Sequence, residues 1–591
     1  MAIDGVSGRT SYIGSSILNL KSQLGTLQEQ LASGKISSTY AGQGINRGLA
    51  VNLRAQVSNI DAFSDTATNI TTRINIANLS LQGLVDLNTQ MKNAANGSSI
   101  SLGNNGQTSG QTAAQSAFAN AIELLNTRSG DRYLFSGRAT DTPPTATANE
   151  ILYGSADGTR AGLTQLIAER KSADLGSDGM GRLTLSPSGT SPITLAENAA
   201  PSPFGLKLSA VSTTMVGANV TPVPTAVDLG ATNPSEGDTF TFAFAQPDGS
   251  SKTVTLTATN TVPPPAGSFA IGADSTATSA NLNAALSSVQ GGAGQFGPNI
   301  TAMTSSFAGA TVTPSSVSVD LGTTNAKEGD IFKFTFNLPD GTSESISLTA
   351  TSTNPPPPGS FLIGADETET TANLQSNLSS AVSTLANTSL VAASAIEASN
   401  NFFDSPPLRV DTTTSPLTSA TALVAGTPSN TISWYTGETA QSDTDSARGT
   451  AVGQVDQSIS VQYGARANEQ AFRVQLQNMA VYAAVTTSAT DPNASGQITA
   501  LSQRVAINLS PQQGVQTLQD IQADFAGAQT AIKSSSDRQA QVKTMTQTML
   551  DSIEGVSQDE VATKILALQT TLSASYQTTS MLYKLSLTNF L

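Results

Sequence analysis

The chain has no cysteine and no histidine, a single tryptophan, and few charged side chains: only 12% of its 591 residues are Asp, Glu, Lys or Arg. Each shortage removes a class of function. Without Cys there is no disulfide, thiolate nucleophile or thiolate metal site, and without His the commonest acid/base group and metal ligand is missing. Carboxylate-only chemistry, such as a glycosidase pair, and calcium binding survive that exclusion. The 28 Lys and Arg are outnumbered by 43 Asp and Glu, for a net charge of -15. Scarce, scattered positive charge disfavours nucleic acid and anionic membranes as partners. The first twenty residues, MAIDGVSGRTSYIGSSILNL, lack the basic and then apolar regions of a secretory signal, and no stretch approaches 18 apolar residues. A cytoplasmic chain is one expectation; export by a route that threads unfolded polypeptide is the other, and zero Cys suits it.

What is present is long-range helical patterning at the two ends. Ile13, Ile17, Leu20, Leu24, Leu27 and Leu31 step by 4, 3, 4, 3 and 4 residues, a coiled-coil seam that Ser33 and Gly34 end. A second seam runs Leu53, Ile60, Ala67, Ile74, Leu81 with Phe63, Ile70, Ala77, Leu84, Met91 three residues later, which predicts one helix of roughly 45 residues, about 65 Å long. A third helix is expected near 111–128. Towards the C-terminus, Leu518, Ile521, Phe525, Ala528 and Ile532 form a stripe, followed by Val542, Met545, Met549 and Ile553, and past Gly555 by Val561, Ile565, Leu568, Leu572 and Tyr576. Any one stripe is most simply the buried face of a bundle helix. Long heptad helices confined to both termini imply more: the ends pair with each other, and the apolar C-terminal residues want a partner chain.

Between residues 131 and 450 the helical period disappears into Thr, Ser, Pro and Gly with short alternating runs. Residues 228–282 and 320–374 align without a gap at an offset of 92: DLGATNPSEGDTFTFAFAQPDG against DLGTTNAKEGDIFKFTFNLPDG, then PPPAGSFAIGAD against PPPPGSFLIGAD. Each copy reads as a strand with Phe240, Phe242 and Phe244 (Phe332, Phe334 and Phe336) on one face. A turn follows at Asp248-Gly249 (Asp340-Gly341), then a returning strand, a Pro-rich spacer, a short strand and a helix near Leu282 (Leu374). The fold class expected is α+β, with long antiparallel, coiled-coil helices from both termini and a β-rich region inserted between them. Its divisions are an N-terminal coiled-coil segment 1–47, a helical rod 48–130, an outer β-rich domain 131–220 returning at 401–450, repeat modules 221–310 and 311–400, a C-terminal rod 451–555 and a last helix 556–591.

Chemical constellations are sparse. GAGQFG at Gly292, Gly294 and Gly297 is followed by Pro298 rather than a helix, so it reads as a loop and not a phosphate cradle. Asp443 and Asp445 begin like a calcium loop that lacks the Gly and distal Glu. The repeated pairs Glu236/Asp238 and Glu328/Asp330 fit a turn before a strand better than an active site present twice. Trp434 beside Tyr435 reads as a core anchor, with an exposed carbohydrate platform the rarer alternative. No catalytic, cofactor or metal residue is assigned.

Residues 1–155 and 450–591 resemble the flagellin superfamily. The resemblance rests on LASGKISSTYAGQGINRGLAVNLRAQVSNI after the first seam, on VQYGARANEQAFRVQLQNMAVYAAV and SWYTGE, which look alphaproteobacterial, and on the ending SYQTTSMLYKLSLTNFL. Within the superfamily, SGDRYLFSGRATDTPP is similar to the motif of hook–filament junction proteins, with Tyr133, Phe135, Gly137, Thr142 and Pro143 matching its pattern. The duplicated module instead resembles one found in some rhizobial flagellins, which leaves junction protein and filament flagellin both open. The resemblance implies an exported, extracellular flagellar subunit with no enzymatic activity or cofactor. Its terminal helices would line the inner tube of the flagellum, using Ile13, Ile17, Leu20, Leu24, Leu27, Leu31, Val561, Ile565, Leu568, Leu572, Leu582 and Leu585. Its partners would be copies of itself, hook-associated protein 1, flagellin, the flagellar type III export apparatus and an export chaperone. An adhesive role of the central modules and a carboxylate-based hydrolase are the readings from other classes.

Overall fold

The computed structural model describes residues 4–97, 101–245, 251–289, 296–297, 299–438 and 445–588. The chain is α+β and forms two compact units. One comprises Ile76–Thr450 and Gly464–Gln522, the other Met1–Asn75, Ala451–Tyr463 and Ala523–Leu591. In chain order the α-helices are α1 (Asp4–Ser33), α2 (Arg47–Ala95), α3 (Ser109–Leu125), α4 (Ala148–Tyr153), α5 (Leu163–Leu175), α6 (Ser275–Val289), α7 (Glu367–Leu385), α8 (Val391–Phe402), α9 (Gln470–Ala484), α10 (Ala494–Asn508), α11 (Leu518–Glu554) and α12 (Gln558–Thr588).

In the larger unit, α3 starts at a capping box, where Thr108 accepts from the Gln111 backbone N–H and Gln111 returns the bond to the Thr108 N–H. Its apolar face, Phe118, Ile122 and Leu125, is buried, and the helix packs on α9. Among the described residues between 131 and 450, α6 and α7 are the helices expected near Leu282 and Leu374, while α4, α5 and α8 arise where the sequence shows no helical period. The reason is plain in α8: Val391, Ala392, Ala393, Ser394, Ala395 and Ile396 are all buried, so no polar face exists to set a period. In α5 the ionic pairs of Glu169, Arg170 and Asp174 are buried and erase the contrast between faces.

The strands are β1 (Arg128–Ser129), β2 (Arg132–Tyr133), β3 (Leu183–Leu185), β4 (Ile193–Glu197), β5 (Lys207–Thr213), β6 (Asn219–Val223), β7 (Ala226–Asp228), β8 (Thr239–Ala245), β9 (Ser251–Thr259), β10 (Ser268–Ala270), β11 (Ile300–Ser305), β12 (Thr311–Thr313), β13 (Ser316–Asp320), β14 (Ile331–Asn337), β15 (Ser343–Thr351), β16 (Ser360–Leu362), β17 (Leu408–Val410) and β18 (Leu423–Ala425). Each repeat builds a four-stranded sheet under one helix, in the order β10-β9-β8-β11 under α6 and β16-β15-β14-β5 under α7. The Phe triplets point inward as their alternation requires, each of the six rings at most 1% exposed. The second turn is the expected hairpin, with Gly341 at φ 80°; Asp248 and Gly249 of the first lie outside the described residues. Two strands cross the expected module boundaries. Strand β5 lies outside 311–400 yet completes the second sheet, and β12 lies inside that span yet pairs with β7 of the first repeat.

In the smaller unit α1 packs along α12. A hairpin of β19 (Val452–Asp456) and β20 (Ile459–Gln462) lies on α11, where Ser535 and Gln539 both donate to the Val455 carbonyl. The span 451–555 therefore opens with strands before its helices.

Candidate assembly surface

The terminal helices carry the residues singled out from the sequence. Ile13, Ile17, Leu20, Leu24 and Leu27 are half-buried on α1, and Leu31 is at the margin of exposure. On α12, Val561 and Ile565 are buried, Leu568 and Leu572 half-buried, and Leu582 is 43% exposed. The side chain of Leu585 lies outside the described residues. The 4,3 seam is thus the face on which α1 and α12 meet within one chain, and coverage fades towards the chain end.

The stripe Val542, Met545, Met549, Ile553 needs correction. Met545 and Met549 point to solvent, while Ser535, Gln539, Thr546 and Glu554 are buried on α11. Hydrophobicity picked the wrong face because the covered one is partly polar: its Ser and Gln satisfy the hairpin carbonyl, and Thr546 bonds back to the Val542 carbonyl at 2.8 Å. Tyr576, counted in the last stripe, is exposed, and the outward side of the terminal helices bears other apolar groups that the seam reading missed, including Tyr12, Leu18, Leu566 and Met581. Their positions break the heptad, which is why periodicity could not find them.

The two helix breaks meet. Gly34, at φ 68°, ends α1, and Gly555 separates α11 from α12; the Ile36 N–H donates to the Glu554 carbonyl at 2.7 Å and the Val556 N–H to the Gly34 carbonyl at 3.1 Å. At this double elbow Glu554 is buried. It accepts from Arg54 Nη2 at 2.5 Å and Gln43 Nε2 at 3.0 Å, with Lys35 Nζ 3.6 Å away. Burial pushes its carboxyl up, but the hydrogen bonds from Arg54 and Gln43 and the nearby positive charges outweigh that and hold it below its ordinary value.

In the larger unit the motif residues form a clasp. Phe135 is fully buried with its ring edge-on to Phe472 at 5.6 Å, and the Ala467 N–H donates to its carbonyl. Gly137, at φ 66°, donates its N–H to the Ala465 carbonyl, and a Cβ there would meet Glu438 Oε2 at 2.5 Å. Tyr133 donates its N–H to the Thr140 carbonyl under the Arg128 guanidinium. The Thr142 carbonyl accepts from Ser136 Oγ, and the Pro143 carbonyl from Thr436 Oγ1. Arg138 pairs with Glu438 and Asp445, and Arg466 with Asp445 at 2.6 Å, so Asp445 serves an ion-pair network. Asp443, Gly292, Gly294 and Pro298 lie outside the described residues.

The remaining candidates are structural. Glu236 and Glu328 each accept from a strand-end Thr, Thr259 and Thr351, at 2.9 Å and from the following backbone N–H, and Asp238 and Asp330 cap the turns before β8 and β14. Trp434 is buried, donates Nε1–H to the Phe403 carbonyl at 2.9 Å and packs on the Phe403 ring. No helix among the described residues is long and apolar enough to cross a membrane. No protein-family profile matches this chain, and no curated protein matches it significantly.

Proposed function

We propose that this chain is a structural subunit of the bacterial flagellum, exported through the flagellar type III apparatus, and that it is the hook–filament junction protein. The observation that carries the reading is the pairing of α1 with α12, two chain-end helices that share an apolar seam and leave apolar groups such as Leu18, Leu566 and Met581 facing outward. Exposed apolar stripes on long helices need a partner, and neighbouring copies packed as coiled coils would supply it. The clasp around Phe135 and Gly137, whose sequence resembles the junction type, favours this member over others. A junction subunit needs two kinds of neighbour, whereas a filament subunit repeats one contact without limit. The filament flagellin is the second reading, favoured by the duplicated module. Deleting the gene decides between them: a junction mutant makes flagellin but sheds it as monomer. Filaments of unchanged length, or labelling of this protein along the whole filament, would sink the junction assignment.

A further inference from the structure

The duplication is longer than its conspicuous part. At the same offset of 92, Leu208–Gly230 runs LSAVSTTMVGANVTPVPTAVDLG against ITAMTSSFAGATVTPSSVSVDLG at Ile300–Gly322. Each repeat therefore begins with a two-strand arm, β5-β6 in the first and β11-β12 in the second, followed by a body of the remaining strands and the helix. The structure crosses them over. The first arm completes the second body, with Phe336 opposite Leu208 and Phe334 opposite Val211; the second arm completes the first body, with Phe244 opposite Ile300 and Phe242 opposite Met303. Register matches throughout. Val319 faces Val220 as Val227 faces Val312, and the bulge that skips Ser209 recurs at Thr301.

Identical registers mean that either arm fits either body. In a tandem closure each arm would fold onto its own body: Asn219–Thr221 would face Ala226–Asp228 as Thr311–Thr313 do in the structure, leaving Pro222–Thr225 as a four-residue turn. Two features oppose this in the first repeat. Pro224 keeps Val223 out of the helical backbone region that such a turn uses, whereas the second repeat has Ser316 at that place. Buried Glu197 holds the first arm against the second body's side of the unit, accepting from Lys207 Nζ at 3.2 Å and the Leu208 N–H at 3.0 Å. The second repeat has Asn299 in place of Lys207.

We propose that the two repeats are interchangeable halves with two possible closures, and that Pro224 together with the buried Glu197–Lys207 clamp selects the crossed one. The reading is independent of the flagellar assignment.

The chain has no Cys, so introduced pairs report unambiguously. Directly opposed antiparallel residues lie within disulfide range. Ser212 faces Lys333 in the crossed closure; by the 92-residue offset it would face Thr241 in the tandem one, as Thr304 does in the structure. In full-length protein, S212C/K333C should give an intrachain disulfide and S212C/T241C none. Adding Pro224→Ser and Glu197→Gln, then unfolding and refolding, should make the S212C/T241C disulfide appear at least tenfold above its level without them. Its absence there, or equal amounts of both disulfides in the chain with Pro224 and Glu197 intact, would overturn the proposal. Should the quadruple variant not refold, excision of residues 228–319 together with Pro224→Ser leaves one arm, one body and a turn free of the opposing proline, and S212C/K333C must then still form its intrachain disulfide; failure would show that arm and body are not matched.

Discussion

Three acidic or glycine positions show how single residues set the behaviour of each unit. Glu397 on α8 is half-buried, and desolvation by the surrounding protein pushes its carboxyl up to about 7, against the pull of Arg170 and the amides of Asn400 and Asn401. A raised carboxyl favours the folded state while protonated, so the stability of the larger unit should fall as pH rises from the ordinary value near 4.5 to about 7. Glu397→Gln should flatten that slope and leave the unit at least as stable as the parent at pH 8; thermal melts at pH 5 and pH 8 compare them. Glu554 has the opposite sign: its lowered carboxyl stabilises the elbow above the ordinary range and loses that contribution as pH falls through the lowered value. Glu554→Gln should cost about 1.5 kcal/mol near neutrality, the scale of a charged hydrogen bond, and blunt the acid limb of unfolding of the smaller unit. Gly137→Ala meets both a left-handed backbone and the Glu438 side chain. A loss of about 2 kcal/mol in denaturant unfolding of the larger unit is expected, and a loss under a few tenths would mean the clasp yields freely.

At the scale of elements, the seam residues are the ones to disturb. Each fully buried Leu contributes roughly 1.5–3 kcal/mol, and half-burial reduces that. Leu24→Asp with Leu27→Asp places two charges on the α1–α12 face, so α1 should detach and, under the proposed flagellar role, incorporation into the flagellum should stop, while the sheets of the larger unit keep their circular dichroism and protease resistance. Normal motility would contradict this. These elements also mark where sequence was readable. Helices with one dry and one wet face, α2 above all, announce themselves through Leu53, Ile60, Ile74 and Leu81, all buried as spaced. The strands with inward Phe were equally plain. Helix α8 was hidden by being wet on no side, the covered face of α11 by being partly polar, and β5 and β11 by conservative rather than identical matches between repeats. Partners across a sheet leave no trace in local pattern, so the crossed pairing needed coordinates.

For the whole molecule, the repeats look like length added to a scaffold. Excising residues 228–319 removes one period and retains a complete arm and body, so under the proposed flagellar role export and incorporation should persist, scored by motility and by the protein in purified flagella. Loss of both would place the modules among the axial contacts. The crossed repeats also dictate an order of folding. The contiguous module from β7 to β12 contains both its body and its arm, whereas the other must join β6 to β13 across the whole of it. Once the contiguous module has formed, the β7–β12 pairing holds its two ends side by side, and a loop of about 90 residues contracts to a handful, lowering the closure cost by about 2 kcal/mol. Pulse-labelled hydrogen exchange during refolding should therefore protect β8 and β9 before β14 and β15, and the later module should be the earlier to open. The stiff residue at position 224 then acts as a timing element: it holds the first arm out of a quick local closure until its distant partner strand has been made ready.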